Sequence, residues 1–208
     1  MQLVLCNTRL AVAGSPHCHA AASFHLYDEE DRLVHPLKII VIRARSAHSR
    51  RGTTSMAGAT LPCSLGRSGR RARKREGDGA TPIGSWTLSE VLYRADCARR
   101  PRTALPVRAL RPNDGWCDAS GDRNYNRKIQ HPYPVSAERL WRQDHVYDLI
   151  VVLSHNRLPR LQGLGSAVFL HLARPGYPPT EGCIAMSERD LRRLLAVANR
   201  RTRLVVGQ

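Results

Sequence analysis

FLHLARPGYPPTEGCIAM, residues 169–186, is the stretch on which the interpretation of this 208-residue chain depends. It opens with an apolar run typical of a buried strand, which carries His171, and then turns through a loop rich in proline and glycine. The loop ends at Gly182 and Cys183. A thiol and an imidazole on such a framework are the parts of a cysteine nucleophile site, in which the imidazole takes the thiol proton. The structural alternative is that Cys183 is a small buried hydrophobe and His171 a core histidine.

Short β-branched or apolar runs recur through the rest of the chain and predict strands. The predicted strands are residues 38–43, 58–66, 85–93, 147–154, 166–172 and 202–206. Residues 187–198 predict the one clear helix, because Ser187 can cap it, Asp190 completes a capping box and leucines recur on one face. Strands with one late helix define a mainly β fold, either a sandwich or a barrel, with a short helix after the Cys183 loop.

Three further segments are predicted to be less regular. The arginine-rich residues 67–75 indicate a solvated basic loop, because like charges and glycine oppose a regular element. Residues 95–134 indicate long loops that carry Trp116 and Tyr125, of the kind that form binding lids. Residues 136–141 predict one or two helical turns capped by Ser136.

The charge balance, +16 with a pI of about 10.7, suits an anionic partner such as nucleic acid, a membrane surface or an acidic polymer such as cell wall. Only three of the 33 basic residues are lysine, and the arginines are spread over the whole chain, as a bias of coding toward arginine would also produce. With 5% aromatic residues and no recognised binding motif, no nucleic-acid partner is expected, although a basic nucleic-acid-binding module is kept as an alternative. No apolar run approaches the roughly 20 residues of a membrane span.

Domain organisation is predicted to be simple. Residues 1–36 show no clean periodicity and indicate a tail or a loosely docked segment, followed by a domain over residues 37–208. The start of the chain lacks a basic region ahead of a continuous apolar stretch, so no signal peptide is predicted. Nothing in the sequence indicates an oligomeric state.

The six cysteines form no C-x-x-C pair. Cys97 and Cys117 could pair in an oxidising compartment, although spacing cannot prove a disulfide. Residues 17–19, His-Cys-His, look like metal ligands but lie in the predicted tail, and no metal is predicted at the Cys183 site.

Two motifs together resemble a known family. His171 followed by Thr180-Glu-Gly-Cys183 resembles the active-site motif of the YkuD-type L,D-transpeptidases, and the sequence KREGDGATPIG, residues 74–84, is similar to the turn that leads into a strand of that family. The order and separation of the two motifs fit, and the resemblance covers about residues 38–207.

The resemblance implies a YkuD-like β-sandwich or barrel and an enzyme that works without a cofactor on peptidoglycan stem peptides. It implies that Cys183 attacks the bond between an L- and a D-residue of a tetrapeptide and releases D-alanine, with His171 as base. It also implies that Thr180 and the Gly182 amide support the site. Independently of the resemblance, the close backbone approach that Gly182 permits would let the amides of Gly182 and Cys183 face an oxyanion. The resemblance also implies a role in cell-wall biogenesis in the periplasm or cell envelope. A carboxypeptidase that passes the acyl group to water, or an inactive wall-binding domain, are the alternatives.

The sequence departs from the family pattern at two positions, with Glu181 where many members have histidine and Ala185 where many have arginine. Arg174 is the hypothesised source of the missing cation, since it lies in the same loop. His155 is expected to line the site opposite His171. Tyr125 and Asn126 are further candidates for substrate contact.

Overall fold

The chain folds around a closed β-sheet, as a computed structural model that describes residues 37–207 shows. Its strands are β1 (Ile39–Arg43), β2 (Arg51–Met56), β3 (Ala59–Ser64), β4 (Arg70–Arg71), β5 (Thr81–Pro82), β6 (Gly84–Tyr93), β7 (Val107–Ala109), β8 (Asp114–Cys117), β9 (Lys128–Gln130), β10 (Ala137–Arg139), β11 (Leu149–Leu153), β12 (Phe169–Leu172), β13 (Ile184–Met186) and β14 (Arg203–Val206), and its helix is α1 (Glu188–Val197). The predicted tail, residues 1–36, and the His-Cys-His cluster within it lie outside the described residues.

The main sheet has the strand order β11-β12-β13-β3-β2-β1-β14-β6-β7, and a further pairing of β11 with β6 closes it into a barrel. Two smaller sheets, β10-β8-β9 and β4-β5, accompany it. The predicted mainly β class with one short helix after the cysteine loop is confirmed. No helix among residues 37–207 is long and apolar enough to cross a membrane.

Strand β11 explains how the core is divided. All five of its residues are buried, because alternate side chains serve two different cores on the two faces of the sheet. Leu149, Val151 and Leu153 join the larger core, in which the leucines of α1 also pack. Ile150 and Val152 join a second core that includes Trp116 of β8. The continuous apolar run of this strand is therefore the signature of a sheet covered on both sides.

Helix α1 begins as the sequence predicts. The Ser187 hydroxyl accepts a hydrogen bond from the Asp190 amide at 3.1 Å and donates one to the Asp190 carboxylate at 2.7 Å. This pair satisfies an amide that the first helical turn leaves without a partner. Leu191, Leu194 and Leu195 are fully buried, which fixes the helix against the barrel.

The structure corrects two predictions about the middle of the chain and adds one strand closer to its start. Residues 136–141 do not form helical turns, because the backbone of β10 pairs with β8, so that tertiary pairing overrides the local cap signal. Trp116 and Tyr125 do not stand on lid loops, since they are 1% and 0% exposed. Strand β2 was not predicted, because its sequence is polar; it forms a hairpin with β3 through a turn at Ala57 and Gly58, both with positive φ.

Residues 67–75 are largely irregular, as predicted, but they are not simply a solvated loop. Arg70 and Lys74 are 3% and 7% exposed. The Arg70 guanidinium donates to the carbonyls of Ala44 and Ser46 at 3.4 and 2.9 Å, and also to that of Gly207. Cys97 and Cys117, whose pairing the sequence leaves open, are both free cysteines in the structure.

Candidate functional site

Cys183 and His171 open into the same cavity, which has a volume of about 570 Å³. Three other residues singled out from the sequence, Arg174, Thr180 and Gly182, line it as well. The structure therefore brings together five of the eight candidate site residues that the sequence suggested.

The pairing of β12 with β13 explains why the thiol and the imidazole share this cavity. The two strands run parallel, with Leu170 opposite Ile184 and His171 opposite Ala185. Leu170 and Ile184 belong to the larger core, so the residues that alternate with them, His171 and Cys183, point to the other face of the sheet. His171 and Cys183, which are twelve positions apart in the sequence, therefore lie near each other on the same face of the sheet.

The Cys183 thiol is buried and uncharged in this setting. Burial raises its pKa to about 12, and the nearby Glu138 carboxylate acts in the same direction. The thiol donates to the Ala167 carbonyl at 3.2 Å and accepts from the Phe169 amide at 3.3 Å. The hydrogen bond from the Phe169 amide and the charge of Lys74 act to lower this pKa, but burial and Glu138 outweigh them.

His171 is held as a neutral imidazole with one definite tautomer. Burial lowers its pKa to about 4. Its Nδ1 lies 2.9 Å from the Leu172 carbonyl, which can only accept, so Nδ1 carries the proton and Nε2 keeps its lone pair. The Tyr147 ring packs edge-on against the imidazole with a centroid distance of 5.2 Å. The arrangement leaves a fixed nitrogen that can accept a proton.

Thr180 and Gly182 shape the corner on which Cys183 stands. The Thr180 hydroxyl donates to the Cys183 carbonyl at 2.6 Å and accepts from the Gly182 amide at 3.2 Å. Gly182 has a φ of +127°, and a Cβ there would lie 2.9 Å from the Ala80 carbonyl oxygen, so only glycine fits. The Gly182 amide is thus engaged by Thr180, which differs from the expectation that it would face an oxyanion.

The turn at residues 77–84 packs directly beneath this corner. The Thr81 hydroxyl accepts from the Gly66 amide at 2.8 Å and donates to the Cys183 carbonyl at 3.4 Å. Gly66 in turn forms a bridge with Thr180, which fixes the cysteine loop to the end of β3. The two motifs identified separately in the sequence therefore make one structural unit.

His155 is not brought to this cavity. It is 8% exposed and lines a separate pocket with Trp86, whose ring packs edge-on against it at a centroid distance of 4.8 Å. Its Nε2 lies 3.0 Å from the Leu164 carbonyl, and burial lowers its pKa. The expectation that it would line the site opposite His171 is not met, since His155 lines this second pocket and is absent from the lining of the Cys183 cavity.

Tyr125 and Asn126 are also absent from the cavity lining and act as core residues. Asn126 accepts from the indole of Trp116 at 2.9 Å and donates to the Asn156 carbonyl at 2.8 Å. The Tyr125 hydroxyl donates to Glu76 at 2.5 Å. Glu76 does line the cavity, so the effect of Tyr125 on the site is to hold that carboxylate.

Arg174 stands at the cavity with its charge already paired. It donates to Asp144 at 2.6 Å, and the same carboxylate accepts from Arg142 at 2.6 Å. The two guanidinium groups hold the pKa of Asp144 far below its usual range, the contact with Arg142 having the larger effect. About half of the Arg174 side chain is exposed.

The sequence did not reveal the charge layout of the cavity. The cations that line it are Lys74, Arg142 and Arg174, and the carboxylates are Glu76, Asp118, Glu138 and Glu181. Burial raises the pKa of Glu138, and the charges of Asp118 and Glu76 add to that effect. The Tyr147 hydroxyl donates to Glu138 at 2.6 Å. These residues come from five separate segments, and only the fold assembles them.

Comparison with known proteins identifies the family. The model of the YkuD family, the L,D-transpeptidase catalytic domain, matches residues 39–206, so this chain belongs to that family. A search of curated protein sequences found no match.

Among solved structures, the chain is similar to an L,D-transpeptidase from Mycobacterium tuberculosis H37Rv, with 16% identity and a TM-score of 0.39 over 81% of this chain and 57% of the other. L,D-transpeptidase 3 from M. tuberculosis, solved with a faropenem-derived adduct, gives 16% identity and a TM-score of 0.39 over 81% and 60%. The chain thus spans about three fifths of the length of these proteins.

Proposed function

We propose that this chain is an L,D-transpeptidase that acts on peptidoglycan stem peptides, with Cys183 as the nucleophile and His171 as the general base. The observation that carries the proposal is the shared cavity, into which a thiol and an imidazole with a bare Nε2 both open. The match of the catalytic-domain family over residues 39–206 supports the choice of substrate. Residues 37–208 would form the catalytic domain, working in the cell envelope.

The proposed reaction begins with attack of the Cys183 sulfur on the carbonyl carbon of the bond between an L- and a D-residue. The C–S bond forms, the thiol proton passes to His171 Nε2, and the carbonyl π electrons move to the oxygen. Collapse of this intermediate breaks the C–N bond. The departing amine takes the proton from His171, D-alanine leaves, and a thioester remains on Cys183. An acceptor amine then attacks the thioester and regenerates the thiol.

The resting charges decide how the first step proceeds. With a thiol pKa of about 12 and an imidazole pKa of about 4, the resting pair is neutral rather than a thiolate and an imidazolium. Proton transfer therefore accompanies the attack, as in general-base catalysis, instead of preceding it. The fixed tautomer of His171 favours this, because Nε2 needs no rearrangement before it accepts the proton.

The walls of the cavity suit a peptide. Carboxylates and cations both line it, which fits a substrate that carries an ammonium group and a carboxylate. Mixed charges of this kind do not fit the phosphate backbone of nucleic acid, which would meet four carboxylates in the cavity lining.

The test is turnover of a disaccharide-tetrapeptide muropeptide, followed by mass spectrometry. The wild type is expected to release D-alanine and to form a cross-linked dimer, whereas Cys183→Ala forms neither. Cys97→Ala is the matched control, because Cys97 is a free exposed cysteine outside the cavity, and it should retain full turnover. Residual turnover by Cys183→Ala would contradict the proposal. Release of D-alanine without dimer would assign a carboxypeptidase instead.

A further inference from the structure

Lys74 places a buried positive charge beside the cysteine corner. The residue is 7% exposed, and its ammonium donates to the Arg75 carbonyl at 3.0 Å and to the Asp78 carboxylate. Burial works against ionisation of Asp78, yet the bonds from Lys74 and from the amides of Ala80 and Arg75 hold its pKa below the usual value. The pair is therefore a charged ion pair inside the protein.

Two glycines make room for this lysine. A Cβ at Gly165 would lie 2.8 Å from Lys74 Cγ, and a Cβ at Gly182 would lie 3.4 Å from Lys74 Nζ. Both glycines have positive φ, of +93° and +127°. The stem of Lys74 thus passes over Gly165, and its ammonium reaches the residue next to Cys183. This contact gives Gly182 a second purpose besides the turn itself.

The ammonium has one donor to spare. A lysine carries three N–H groups, and the contacts of Lys74 with residues 37–207 use two of them. Lys74 lines the cavity that holds Cys183, where a substrate oxygen can accept the third. A buried ion pair contributes little to stability by itself, because desolvation offsets the attraction between the charges, so stability alone does not account for this one.

We propose that Lys74 donates its third N–H to the substrate carbonyl oxygen that gains negative charge when Cys183 attacks. The assignment rests on the proposed function, in which the negative charge that develops on the carbonyl oxygen must be stabilised, and it names Lys74 as the residue that stabilises it. It accounts for two features of this chain. The Gly182 amide is already bonded to Thr180, and position 185, on the cavity wall, is alanine and carries no charge.

The test compares two reactions of the same thiol. Acylation by faropenem, a β-lactam, passes through an oxyanion, whereas alkylation by iodoacetamide forms a C–S bond as iodide leaves and develops no oxyanion. The readout is the ratio of the acylation rate to the alkylation rate at Cys183, followed by peptide mapping because Cys97 is also free. Iodoacetamide also alkylates unfolded chains, whereas acylation needs the folded site, so both rates are compared only for variants whose circular dichroism matches that of the folded wild type.

Lys74→Met is expected to lower this ratio about 10²- to 10³-fold, the usual effect of removing one oxyanion donor. The double variant Lys74→Met/Asp78→Asn, which leaves no unpaired buried carboxylate, should show the same loss. Lys128→Met is the matched control, because Lys128 pairs with Glu90 away from the cavity, and its ratio should equal that of the wild type.

The proposal would be overturned if the ratio of acylation to alkylation in Lys74→Met and in the double variant equals that of the wild type. This holds even if the acylation and alkylation rates both fall. A parallel fall would show that Lys74 acts on the reactivity of the thiol itself. If the wild type itself is alkylated at Cys183 but never acylated, the proposed function fails first, and that result is distinct from a failure of the Lys74 assignment.

Discussion

The buried His171 should leave a measurable mark on the pH dependence of folding. Its pKa falls from the ordinary 6.5 to about 4 in the folded protein. As the pH decreases below 6.5, the unfolded chain binds a proton that the folded chain refuses, so the free energy of unfolding declines until about pH 4 and is then constant. At about 1.4 kcal/mol per pKa unit, the loss from this one residue is about 3 kcal/mol.

The perturbation that isolates this effect is His171→Asn, whose side-chain amide can still donate to the Leu172 carbonyl. The assay is urea unfolding of wild type and variant at pH values from 7 to 4. We expect the difference between the two free energies of unfolding to change by about 3 kcal/mol across this range, with the wild type losing the more stability. Other groups titrate in both proteins and cancel in the difference. His48→Asn, at an exposed histidine, is the control and should follow the wild type.

The same pKa predicts the acid limb of the acylation rate. At pH 5 about nine tenths of His171 remains neutral if its pKa is about 4, compared with about 3% for an ordinary imidazole. The rate of faropenem acylation should therefore stay nearly flat between pH 7 and pH 5. Parallel pH dependences of unfolding for wild type and His171→Asn, or an acylation rate that falls around pH 6.5, would refute a buried, neutral His171 as the proposed base.

Three other variants test separate parts of the structure. Gly182→Ala should abolish acylation and lower the stability by about 1–3 kcal/mol, because it forces a φ of +127° and a contact with the Ala80 carbonyl; wild-type stability and rate would contradict this. Arg174→Ala should weaken muropeptide binding and leave the maximal rate within about tenfold, since its charge is paired with Asp144, and steady-state kinetics will show whether the maximal rate collapses instead. Ser187→Ala should cost about 1 kcal/mol in urea unfolding through the lost helix cap, while acylation by faropenem is unchanged; a variant as stable as the wild type would disprove the role of the cap.

The sequence predicts the parts of the fold that depend on residues close together in the chain. The apolar run of β11 is visible in the sequence because both faces of this strand are buried. The start of α1 is visible because its capping residues are only three positions apart. The pair His171 and Cys183 could be identified because both residue types have reactive chemistry and stand in a recognisable motif.

The remaining features depend on partners distant in sequence. Residues 136–141 contain a plausible helix cap, and only the presence of β8 makes them a strand. Lys74 lies in a run of basic residues that looks solvated, and its burial is caused by Gly165 and Gly182, some 90 and 110 positions away. The position of His155 after a strong strand suggests a site residue, but its imidazole packs against Trp86 and lines another pocket.

The most direct measurement of the central claim is the intact mass of the protein after incubation with faropenem, with the modified peptide located by digestion. We expect one covalent adduct, on Cys183, in the wild type and in Cys97→Ser, and no adduct in Cys183→Ser. An adduct that persists in Cys183→Ser, or a wild type that stays unmodified while folded, would contradict it.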